Sequence, residues 1–138
     1  MASATDYLAQ AVLLHTMGVA VMPMPLGVFA ALCTTAPDRT NPGTEVAGGG
    51  YLRQSVLMAQ VAGANSVANS ALVSYPTATA AWGAVSWVEL WDVPMGLGNR
   101  LYFMPLVDPI DLVTPITKII GPGDIMTIPP ATLIVSAS

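Results

Sequence analysis

Apolar positions recur first with helical spacing and then with strand alternation. Leu8, Ala11, Val12 and His15 stand at i, i+3, i+4 and i+7, which places them on one face of a helix over residues 5–17. Tyr7 and Leu14 widen that face. Two N-caps compete: Ser3, in a capping box with Asp6, and Thr5. Gly18 can take the left-handed conformation that ends a helix. A helix this apolar is expected to be covered on more than one side. It either packs on the rest of the chain or plugs into a neighbour.

Residues 19–26 cannot extend the helix, because Pro23 and Pro25 force Met22 and Met24 into extended geometry. Such a Met/Pro connector either lies along a partner surface, since methionine adapts its shape, or is a plain crossover to the first strand. Residues 27–34 then alternate with both sides apolar, so both faces of that strand should be buried. A polar loop, 36–43, leads to the glycine run Gly48 to Gly50 and to a strand over 51–60. Residues 61–70 are small and polar, a loop or a weak edge strand. Short strands are predicted at 71–75, 84–92, 100–106, 113–120, 125–128 and 133–135. The clearest is 84–92, with Val85, Trp87, Glu89 and Trp91 on one face. In the strand over 100–106, alternation sets Leu101 and Phe103 against Tyr102 and Met104.

About eight short strands at this spacing predict a mainly β fold: an antiparallel, jelly-roll-like β-sandwich with one N-terminal α-helix. A chain of 138 residues reads as a single domain, with helix over 1–18, connector over 19–26 and sandwich over 27–138.

Composition changes this picture in one respect. Apolar residues make up 54% of the chain and charged residues only 9%, against roughly 25% charged in an ordinary domain. That much apolar surface points to assembly with other chains, including copies of this one. The net charge is −4, and the four basic residues, Arg39, Arg53, Arg100 and Lys118, form no cluster, so no nucleic-acid partner is expected. The charge-free window between Asp6 and Asp38 contains Gly18, Pro23, Pro25 and Gly27, so no membrane insertion is expected. Its start has no basic region, which argues against a secretory signal.

Candidate chemistry is thin, and neither an enzyme nor a cofactor is expected. His15 is the single histidine, and Cys33 is the single cysteine, read as a buried, inert thiol. The sequence carries no nucleophile elbow, Walker loop or zincin motif. The glycine run lacks the lysine and helix of a phosphate loop, so backbone geometry explains it better. Glu89 and Asp92 sit on opposite faces of one strand, unsuited to acid/base pairing. Asp108, Asp111 and Asp124 fit no calcium loop. Trp82, Trp87, Trp91 and Tyr102 offer two readings: stacking on sugar rings, or a core or interface cluster, of which the second is favoured.

The set Leu32-Cys-Thr-Thr-Ala-Pro37 and Gly43-Thr-Glu-Val-Ala-Gly-Gly-Gly-Tyr-Leu-Arg-Gln54 resembles a family of small tailed-bacteriophage tail fibre proteins. The likeness continues through Tyr75-Pro-Thr-Ala-Thr79, Trp82-Gly-Ala-Val85, Leu90-Trp-Asp92, Gly123-Asp-Ile-Met-Thr-Ile-Pro129 and Leu133-Ile-Val135. Thr5-Asp-Tyr-Leu8 fits the family's short helix. Two segments depart from the pattern, the apolar connector 22–26 and the long link 107–112, and both are candidate docking surfaces. The resemblance implies a non-enzymatic virion protein, made in the host bacterial cytoplasm and contacting other virion proteins. Its place is a tail-associated or fibre-like module. The alternatives are a capsid decoration or cement protein and, more weakly, a carbohydrate-binding receptor module. The candidate interface residues are Leu8, Val12, His15, Met22, Met24, Glu45, Tyr51, Arg53, Trp87 and Trp91.

Overall fold

A computed structural model describes residues 2–136. Its elements in chain order are β1 (Ser3–Ala4), α1 (Asp6–Thr16), β2 (Phe29–Cys33), β3 (Gln54–Ser55), β4 (Met58–Gln60), β5 (Ser66–Asn69) and β6 (Val73–Ser74). They continue as β7 (Gly83–Val85), β8 (Trp87–Trp91), β9 (Arg100–Pro105), β10 (Lys118–Ile120), β11 (Thr127–Ile128) and β12 (Ile134–Ser136). An antiparallel five-stranded sheet, in the order β1-β9-β8-β2-β3, forms one layer. Three smaller sheets, β10-β7, β11-β6 and β12-β5-β4, complete the β structure. The expected class, mainly β with antiparallel sheets and one N-terminal helix, is the one observed.

The core lies between these layers. Ala30, Leu32, Val88, Leu90 and Met104 from the large sheet meet Val73, Val85, Ile120, Ile128 and Val135 from the small ones. Ala30 to Cys33 are fully buried, as a strand apolar on both sides requires. Tyr51, Tyr75 and Trp82 form an aromatic group at one margin of this core, with Tyr51 and Trp82 edge-to-face at 5.5 Å.

Several predicted strands are divided. The segment 51–60 splits: Gln54 and Ser55 pair with β2, whereas Met58 to Gln60 pair with β5. The segment 84–92 splits at Ser86, whose N–H donates to Cys33 O and whose carbonyl accepts from Leu106 N. Val85 and Trp87 therefore belong to different sheets, β7 with β10 and β8 with β2. Val85 lies in the core with Val88 and Leu90, so alternation slips at Ser86 and the expected sharing of one face by Val85 with Trp87, Glu89 and Trp91 does not hold. The small polar stretch at 61–70 contains the central strand of a sheet rather than a loop or edge. Its Asn69 is buried and uses its whole amide. Oδ1 accepts from Thr132 N and Leu133 N, and Nδ2 donates to Ala71 O and Pro129 O. The predicted strand 113–120 is reduced to β10, because Asp111 Oδ1 accepts from Val113 N and Thr114 N and turns the chain there.

The helix is capped by Thr5, whose Oγ1 accepts from Leu8 N, while Ser3 is drawn into β1 opposite Phe103. Gly18 is left-handed, as expected. The expectation that α1 is covered on more than one side does not hold within the chain: Leu8 is its one buried residue.

Gly48, Gly49 and Gly50 all have positive φ, at 75°, 60° and 79°. At Gly49 space is short as well. An added Cβ would lie 2.9 Å from the Trp82 indole nitrogen, which donates to Gly49 O. At Gly48 nothing lies within 4 Å. Gly49→Ala is expected to cost about 1–3 kcal/mol, more than Gly48→Ala. Urea unfolding of both variants, followed by tryptophan fluorescence, measures the difference; equal losses would show that the contact with Trp82 carries nothing.

Candidate functional site

The ten candidate interface residues fall into two groups and one outlier. Leu8, Val12, His15, Met22 and Met24 belong to α1 and the connector. Glu45, Tyr51, Arg53 and Trp91 converge on the outer face of the large sheet. Trp87 stands apart, half-buried at the other end of β8, with its ring 6.5 Å from that of Phe103.

A β-bulge organises the second group. The register β8 to β9 is regular from Trp87↔Pro105 to Leu90↔Tyr102 and then shifts, so that Trp91 faces Arg100. Leu101 is the extra residue. Strict alternation would put Arg100 on the core face with Tyr102 and Met104. The bulge turns it to the face of Glu89, the kind of re-aiming that bulges perform. Arg100 Nη1 then donates to Glu89 Oε2 at 3.0 Å, and Nη2 donates to Asp38 O at 2.6 Å. Glu89 is 1% exposed and accepts two more hydrogen bonds, from Gly43 N and from the Cys33 thiol. A buried charge pair is tolerable only with such full satisfaction. Burial, reinforced by the Glu89 carboxylate, pushes the Cys33 thiol well above its ordinary range, so it stays protonated and unreactive.

The root of the helix is bonded to the two residues at the bulge. Thr5 N donates to Leu101 O, and Thr5 Oγ1 donates to Arg100 O at 2.6 Å. Asp6 then receives Arg39 Nε and Thr40 Oγ1, each at 2.8 Å. These two partners hold its carboxyl below the usual carboxylate range.

Beside this pair lies a second one. Arg53 grips Glu45 with Nε and Nη2, both at 2.8 Å, and donates Nη1 to Val93 O. Its guanidinium carbon sits 4.4 Å from the Trp91 ring centroid, a cation–π contact. Tyr51 links this pair to the core: its hydroxyl donates to Glu45 Oε2 at 2.7 Å and accepts from Leu32 N. The family-like run Glu45 to Arg53 is thus a closed network joined across the glycine turn. A cleft of about 290 Å³ opens over it, lined by Pro42, Glu45, Arg53, Trp91 and Leu97 among others.

The first group is different in kind. Val12 is 45% exposed and Met24 89%. Leu13, Met17, Val19, Val21 and Leu26 are exposed with them. His15 Nδ1 accepts from Met22 N at 3.1 Å, which folds the connector back on the helix. Outside the helix that begins at Asp6, residues 7–27 show no hydrogen bond to another described residue beyond the segment itself and its cap Thr5. Residues 7–27 therefore form an arm, rooted on the bulge at Thr5 and rejoining the sheet at Phe29.

Sequence reasoning overlooked Glu89 and Arg100 as partners. The available signal was a lone carboxylate between two tryptophans on one strand face, opposite a hairpin strand that begins with arginine. Of the tryptophans weighed for sugar stacking, Trp82 lies in the core, Trp91 is buried on the outer face against Arg53, and Trp87 is half-buried. Among the described residues no group of acidic, histidine or cysteine side chains is arranged to hold a metal ion, and no helix is long and apolar enough to cross a membrane.

The chain is mainly β and poor in charge, as suits a structural building block. Comparison with known families makes this specific: the chain belongs to the family described as podophage GP4 fiber I protein gp80, whose model matches residues 3–136. It is thus a fibre protein of a phage virion, and its partners include other virion proteins. A comparison with curated proteins found no match.

Arg100→Leu is expected to destabilise the protein by about 3–5 kcal/mol, because it leaves Glu89 buried without its countercharge; a denaturant midpoint unchanged from the parent would refute that. Tyr51 and Tyr75 are both raised above the ordinary value of 10.0, chiefly by burial, with Glu45 adding to it. Above pH 10 the unfolded chain releases tyrosine protons that the folded chain keeps. The unfolded state then binds fewer protons, so stability, complete below pH 10, must fall as pH rises further. Unfolding midpoints across this range, with tyrosinate absorbance of the folded protein, check the sign.

Proposed function

We propose that the protein is a non-enzymatic fibre subunit that assembles with copies of itself through its apolar arm. The supporting observation is the run of exposed apolar side chains on α1 and the connector: Val12, Leu13, Met17, Val19, Val21, Met24 and Leu26. No charged residue interrupts the chain between Asp6 and Asp38, so covering this surface desolvates no formal charge. Each Val, Leu or Met side chain fully covered contributes about 1.5–3 kcal/mol. Association costs about 4–15 kcal/mol, so most of the seven must be covered together. The titratable groups support a structural role. The thiol is protonated and sealed, and Glu89 and Glu45 are occupied by arginines. Synthesis in the host cytoplasm, where a single buried thiol needs no oxidising compartment, belongs to the same reading.

Light scattering over a concentration series tests this. An oligomer is expected, and M24D/L26D is expected to move the distribution toward monomer. Its unfolding midpoint should stay within about 0.5 kcal/mol of the parent, because both side chains are exposed in the single chain. A monomer at every concentration would overturn the proposal.

A further inference from the structure

The arm and an apolar groove lie at opposite ends of strand β9. At the Arg100 end, Thr5 is bonded to the bulge and Phe29 re-enters the sheet opposite Trp91, the residue paired with Arg100. Both roots of the arm are therefore at that end. At the Pro105 end the chain runs into the link 107–114, which stands against the last strand. A groove of about 320 Å³ opens there, with Met104, Pro105, Val107, Leu112, Val113 and Ile134 in its walls. Among the described residues no charged side chain lines it, and none of residues 7–27 does.

The groove wall is held in place rather than loose. Leu112 is left-handed, at φ 60°, a conformation that a leucine keeps only where its surroundings impose it. Leu112 N donates to Asp108 O, Asp108 N donates to Thr114 O, and Asp111 Oδ1 receives Val113 N. Val107 and Pro115 bridge the base of the link. This fixed turn leaves Val113 76% exposed at the groove.

We propose that the arm of one copy docks in this groove of the next, so that subunits join head to tail. The inference rests on the self-assembly reading above and names its two surfaces. Three observations favour a second copy as the occupant. The arm and the groove both lack charge, so neither surface strands an ion when they meet. The chain's own arm is rooted one strand length away, about 20 Å for six residues, and does not fill the groove. The connector, extended by Pro23 and Pro25, offers Met22 and Met24 as shape-adapting side chains for a site of this size. Different surfaces on the two partners make the contact heterologous, which propagates into a ring or a filament rather than stopping at a two-fold dimer. The link 107–112 and the connector 22–26 become the two halves of one contact.

Cysteine cross-linking in the full-length protein tests the pairing, because the native Cys33 is buried and will not compete. Under mild oxidation M24C/V113C is expected to give a ladder of covalent trimers and larger species. M24C alone and V113C alone should give none, and an equimolar mixture of the two single variants should give heterodimers only. Both positions are exposed, so folding of the variants is expected to be unchanged by circular dichroism. Efficient dimers from M24C alone would show arm-to-arm contact and overturn the proposal. Covalent dimers as the largest product of the double variant would overturn its head-to-tail propagation. An oligomer by light scattering with no cross-link would remove the arm-in-groove contact while leaving self-assembly standing; a monomer in both experiments would remove both.

Discussion

The buried ion pair Glu89–Arg100 is the interaction on which the other features depend. A carboxylate held at 1% exposure within a sheet would be prohibitively costly alone. It is made tolerable by the bulge at Leu101, which swings Arg100 onto the same face. At the bulge Thr5 bonds two carbonyls, Leu101 O with its backbone N–H and Arg100 O with its hydroxyl. The same hydroxyl caps α1. One arginine therefore connects the sheet's outer face, the loop at Asp38 and the root of the helix.

This arrangement explains why a helix so apolar stands largely uncovered. Its anchorage is supplied by polar groups at Thr5 and Asp6 and by the single buried Leu8, not by a packed face. Among the described residues, eight of the nineteen exposed large apolar side chains fall in 7–27, and the other eleven, Leu97 and Ile110 among them, lie outside it.

Alternation in 27–34 and 100–106 made the inner strands legible, because residues buried on one or both faces must repeat with the period of two. The glycine run was legible as unusual backbone, and three positive φ values bear that out. Its neighbours Glu45, Tyr51 and Arg53 were read as candidate interface residues, not as a closed network with Trp91. The divisions at residues 56–57 and at Ser86 were not legible: alternation runs through the first, and at the second it slips between apolar residues on both sides, Val85 and Val88 facing the core and Trp87 not. The central strand at 66–69 was missed because it is built from small side chains, with Asn69 bonding to chain some sixty residues away.

By itself the sequence determined the class of fold, the helix and its end at Gly18, and the apolar, charge-free character of residues 7–37. Each follows from local spacing or composition. The tertiary structure decided which face Arg100 occupies, because a one-residue bulge reverses the alternation. It also decided which of Ser3 and Thr5 caps the helix, since only Thr5 reaches the bulge carbonyls. And it placed the arm and the groove at opposite ends of β9, a relation between segments some ninety residues apart that no local pattern encodes.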